Sequence, residues 1–116
     1  MRVKCIKTAI TVSNKKIINN DISSYMVIGT IFLVYGLRFS LNVTYVYIYD
    51  GDHLLEVPLE LFEIIDENVS VFWKVKTENG EVTLWPELFS EDEFLENFSE
   101  REERERNIFD TFKVKF

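Results

Sequence analysis

Only one cysteine, one histidine, two prolines and four glycines occur among the 116 residues, and a single acidic residue, Asp21, precedes Asp50. With Cys5 alone there is no intrachain disulfide and no thiolate metal cage. With His53 as the only histidine, no cluster of zinc-type ligands can form. Four glycines leave little room for a phosphate-cradling loop, and no Gly-x-Ser-x-Gly or paired metal-ligand motif occurs. The longest apolar run, Tyr25 to Leu37, has 13 residues interrupted by Gly29, Thr30 and Gly36. A membrane-spanning helix needs about 20. Nothing near Met1 reads as a secretory h-region, so the expected location is cytoplasmic, with no membrane association.

What the chain has instead is charge of unequal sign. Residues 1–49 hold six cations and one acid, a net of about +5, and residues 50–116 hold seven cations and 19 acids, about −12. Nine carboxylates lie in the 19 residues from Glu87 to Glu105. Apolar residues make up 47% and aromatic ones 15%, enough for a buried core in one domain spanning 1–116. Only Glu100 to Arg106 has the composition of a disordered segment.

Hydrophobic period two dominates the first 90 residues. Val3 to Ile6 reads as an opening strand, Ser13 to Ser24 as a polar loop with Lys15 and Lys16 at its tip, and Tyr25 to Tyr35 as a deep strand or strand pair bent at Gly29. Thr44 to Tyr49 alternates, with Tyr45, Tyr47 and Tyr49 on one face. Asp50-Gly51 then signals a type I′ hairpin returning through Leu54 to Val57. After Pro58, the residues Leu59 to Ile65 suit a helical turn followed by a strand. Val71 to Lys76, Asn79-Gly80 and Glu81 to Leu84 repeat this grammar, closing on Trp85-Pro86-Glu87-Leu88-Phe89. From Ser90 the period becomes helical: Ser90 with Glu93 fits a capping box, and Phe94, Leu95 and Phe98 share a face. Val114 and Phe116 alternate like a last strand.

The segments VKCI, IGTIFLVYG, YVYIYDGD and VPLELFEIID, in that order, resemble a group of small bacterial and phage proteins with an SH3-like barrel. The resemblance covers residues 1–66, with Thr30 where lysine is usual and Phe32 where tyrosine is usual. It implies a five-stranded barrel and carries no catalytic residue to this chain. The fold class expected is mainly β (α+β): an SH3-like or related β-barrel or curved antiparallel sheet in 1–66, with a second hairpin and one C-terminal acidic helix in 67–116.

Candidate chemistry is sparse. His53 beside Asp50 and Asp52 could transfer protons, but a hairpin tip ordinarily faces water and no constellation completes a site. Cys5 alternates into the core and reads as a buried structural thiol. The tyrosine stripe suggests base stacking, yet an overall charge of −7 repels phosphate, so no nucleic-acid partner is expected. No metal and no cofactor are expected.

The acidic run reads either as a solvated helix face partly neutralised by Arg101, Arg104 and Arg106, or as a docking face for a basic protein. The second reading puts partner contacts at Trp85, Glu87, Glu91, Asp92, Glu93 and Glu96, with Trp73 or Trp85 as apolar anchor. It makes the chain a non-enzymatic immunity or antitoxin protein that neutralises a basic toxin, for example a nuclease. The alternative is a phage or bacterial accessory module binding a peptide or host protein through its aromatic surface.

Overall fold

A computed structural model of the chain describes residues 1–90 and Phe94. In chain order the elements are β1 (Arg2–Cys5), β2 (Ala9–Val12), β3 (Lys15–Ile18), the helical turn α1 (Asn19–Ile22), β4 (Ile31–Phe39), β5 (Thr44–Tyr49) and β6 (Leu54–Pro58). A 3-10 turn at Leu59–Leu61, then β7 (Phe62–Asp66), β8 (Trp73–Glu78), β9 (Glu81–Pro86) and a second 3-10 turn at Glu87–Ser90 follow. The fold is mainly β and antiparallel. No helix among the described residues is long and apolar enough to cross a membrane.

Five strands lie in the order β6-β5-β4-β1-β7, with β8 and β9 joined to them through β4. β4 is long enough to take three partners: β1 along Ile31 to Leu33, β5 along Val34 to Phe39, and β9 along Leu37 to Phe39. Of the barrel or curved antiparallel sheet expected, the antiparallel sheet forms and a closed barrel does not. β6 pairs only with β5 and β7 only with β1 among the described residues, so the sheet is open. The C-terminal acidic helix lies outside the described residues.

A bulge decides how β4 serves both faces. Val34 pairs with Ile48, but the next pair is Gly36 with Tyr47, so Tyr35 is an extra residue. One extra residue inverts the alternation beyond it. Leu37 therefore rejoins Phe32 and Val34 in the aliphatic core with Val3, Cys5, Val46, Ile48, Val57 and Leu61. Tyr35 and Tyr47 belong instead to an aromatic cluster with Phe89 and Phe94, flanked by Trp85, Tyr49 and Leu54. Gly36 lets β9 approach. A Cβ there would stand 2.8 Å from the Trp85 Cβ and 3.3 Å from the Leu84 carbonyl oxygen.

The segment expected as a polar loop, Ser13 to Ser24, contains the hairpin β2-β3 and α1. Its two-residue turn is Ser13-Asn14, both at positive φ (50° and 65°), so a type I′ turn forms without glycine. Lys15 and Lys16 open β3 and are exposed. The deep strand begins at Ile31 and not at Tyr25: the preceding segment is tied by Met26 N–H to the Ser23 oxygen and Thr30 N–H to the Val27 oxygen, leaving Tyr25, Val27 and Ile28 exposed. Asp50-Gly51 lies in a hairpin, but Tyr49 pairs with Leu54, which makes the loop four residues and not two. Asn79-Gly80 is a two-residue turn between Glu78 and Glu81, at φ 51° and 80°.

Candidate protein-binding surface

Of the six expected partner contacts, the structure describes Trp85 and Glu87. Glu91, Asp92, Glu93 and Glu96 lie outside the described residues. Trp85 is held in place: its indole N–H donates to the Ser90 hydroxyl at 2.9 Å, and its ring meets Tyr47 and Phe89 edge-on at 5.3 and 6.0 Å. Its half-exposed side lines a cleft of about 530 Å³ with Arg38, Lys76, Glu78, Glu81 and Ser90. Glu87 is exposed. Trp73, the other candidate anchor, is buried in the aliphatic core and is not presented to a partner.

The pairings β4-β5, β5-β6 and β4-β9 bring together a polar network that the sequence did not reveal. Arg38 grips Glu56 with two donors, Nε at 3.1 Å and Nη2 at 2.5 Å, while its Nη1 meets Glu81 at 2.5 Å. The guanidinium carbon lies 4.5 Å from the Tyr45 ring centroid. The Tyr47 hydroxyl donates to Glu56 from the same side. The Glu56 hydrogen bond raises the Arg38 pKa further above its usual value, so the charge is permanent. Burial, then the hydrogen bond to Glu56, pushes the Tyr47 phenol up and keeps it a donor. Arg38 is thereby neutralised by two carboxylates. Among the described residues Glu63, Glu67, Glu78 and Glu87 are exposed and without an ion pair.

Hydrogen bonds and burial place the other candidates. Asp50 shapes its loop: Oδ1 accepts from the backbone N–H of Asp52 (2.9 Å) and His53 (2.7 Å), and Oδ2 accepts from the Ser23 hydroxyl at 2.8 Å. Burial alone would raise the Asp50 pKa, but these hydrogen bonds, the His53 N–H foremost, outweigh it and lower it. His53 is half-exposed, its Nδ1 3.3 Å from Asp52 Oδ2. No group of three or more metal-ligating side chains occurs among the described residues. Cys5 is fully buried; its Sγ lies 3.6 Å from the Lys7 carbonyl oxygen and 3.7 Å from the Asn19 amide nitrogen. Of the tyrosine stripe, Tyr47 is buried and Tyr45 lies under Arg38.

A groove of about 700 Å³ runs between the β2-β3 hairpin, the β4-β5 turn and β7. Phe62 and Ile64 of β7 line it together with Ile6, Val12 and Val43, and Lys7 bridges to Glu60 at its rim (3.7 Å). Compared with protein-family models, curated proteins and solved structures, the chain matches none.

Proposed function

We propose that this is a non-enzymatic binding protein of the immunity or antitoxin kind, whose acidic half neutralises a basic toxin such as a nuclease. The observation that carries the reading is the charge split of about +5 and −12 between residues 1–49 and 50–116. Exposed carboxylates without ion pairs speed the approach of a cationic partner and can stand in for the phosphates a nuclease attracts. Glu87, exposed and two positions after Trp85, opens in sequence the acidic run that continues with Glu91, Asp92, Glu93 and Glu96. The order β6-β5-β4-β1-β7, with a 3-10 turn before β7, supports an SH3-like relationship for residues 1–66. Burial of Tyr47 and cover of Tyr45 by Arg38 weigh against partner binding through the aromatic stripe.

Affinity capture by the tagged protein from lysate of its own source, at low and at high salt, tests this reading. A basic protein retained at low salt and weakened at high salt is the expected result. Reversing Glu91, Asp92 and Glu93 to lysine should weaken that capture by a large factor. A partner indifferent to both salt and reversal would remove the acidic half from the mechanism.

A further inference from the structure

The sheet leaves three strands, β6, β7 and β8, each paired on one side only among the described residues. β6 ends at Pro58 and its Glu56 is held by Arg38. β7 and β8 differ in how their open edges are protected. β8 carries Lys74 and Lys76, both exposed, and lysines on an edge discourage pairing. β7 (Phe-Glu-Ile-Ile-Asp) has no lysine; Ile64 and Ile65 are 43% and 44% exposed, and Ile64 faces the 700 Å³ groove.

The backbone of β7 is suitably turned. Cys5 N–H donates to the Thr30 oxygen on the β4 side, and Ile6 N–H donates to the Leu61 oxygen on the β7 side. Alternate residues of β1 thus serve opposite neighbours, so Val3 and Cys5 turn to β4 while Arg2 and Lys4 turn to β7. Ile64 stands opposite Val3, so its N–H and C=O point away from β1, toward the open edge.

Side chains define what could pair there. Phe62 and Ile64 line the groove, while Glu63, between them, points to the other face. A strand laid beside β7 would meet apolar side chains on its groove face and a carboxylate on its outer face, with Asp66 and Glu67 beyond. We infer that β7 is a strand-addition site for an extended segment of alternating apolar and basic residues, presented by a basic protein partner. The inference rests on the proposed acidic-docking function and specifies one mode of contact within it. A second copy's β7 would set Glu63 and Asp66 against like charges, and a net charge of −7 on each copy opposes self-association more broadly.

The test uses the whole protein and a synthetic peptide, acetyl-Lys-Val-Lys-Val-Lys-Val-Lys-amide, with a glutamate-for-lysine peptide as control. Backbone amide NMR should show saturable shifts centred on residues 62–66, with slowed exchange of the Ile64 N–H, for the lysine peptide only. Ile64→Pro removes the outward N–H at an edge where proline is tolerated, and should weaken binding roughly tenfold or more. Glu63→Lys, which leaves the backbone free to pair, should weaken the lysine peptide and admit the glutamate one. The inference is overturned by absent binding, by shifts located at β8 or the aromatic cluster, or by unchanged affinity in a folded Ile64→Pro variant. Concentration-dependent self-association of the protein alone, abolished by Ile64→Pro, would make a second copy the occupant and equally overturn it. Capture of the salt-sensitive basic partner by Ile64→Pro at full strength would leave the acidic-docking function standing while this contact mode falls.

Discussion

The two faces of β4 and β5 are built on different terms. One face packs aliphatic side chains from strands spread along the first 66 residues, and Val3, Val34, Val46, Ile48, Val57 and Leu61 reach complete burial there. The other packs rings: Tyr47, Trp85 and Phe89 meet edge-on, and Phe94 stacks on Phe89 at 6.1 Å. It ends in the Arg38, Glu56 and Glu81 network at the sheet surface. The aliphatic side holds the fold together by non-directional burial. The aromatic side adds geometry and charge, and packs β9 and the 3-10 turn after it against β4 and β5.

That contrast can be broken by substitution. Ile48→Ala, which opens a cavity in the aliphatic core, should cost about 2–5 kcal/mol in urea unfolding. Gly36→Ala forces β4 and β9 apart at Trp85 and should cost about 1–3 kcal/mol in the same urea unfolding. Tyr47→Phe keeps the ring packing and removes one donor from Glu56, which retains Arg38; the expected loss is about 0.5–1.5 kcal/mol. Equal losses for Ile48→Ala and Tyr47→Phe would erase the distinction between the two faces.

Local chemistry made much of the strand pattern legible. Period-two alternation located β5 and β6, Pro58 with Leu59 and Leu61 marked a helical turn before β7, and Asn79-Gly80 marked the β8-β9 turn. The β2-β3 hairpin escaped notice because Ser13 and Asn14 adopt positive φ without glycine, inside a stretch whose polarity imitates a loop. Tyr25 to Ile28 has strand composition but not strand structure, since local hydrogen bonds around Ser23 and Thr30 satisfy its backbone. For the site, Glu87 could be read as an exposed acid, but Trp85 could not be read as packed, because Tyr47 reaches it only through sheet pairing and Phe89 only through the 3-10 turn after β9. The Arg38 network joins residues 18 and 43 positions apart, beyond any local periodicity. Gly36 carried no turn signal; its role is room for a neighbouring strand.

The bulged β4 also fixes an order of events during synthesis. Leu37 pairs with Leu84, so the second half of β4 leaves the ribosome 47 residues before the strand that covers that edge. Nascent chains up to the β5-β6 hairpin therefore carry an unprotected strand margin at Leu37 to Phe39, and it closes only when β9 has emerged. Translation pausing between β6 and β9 would prolong that exposure and favour pairing of this margin with another nascent chain.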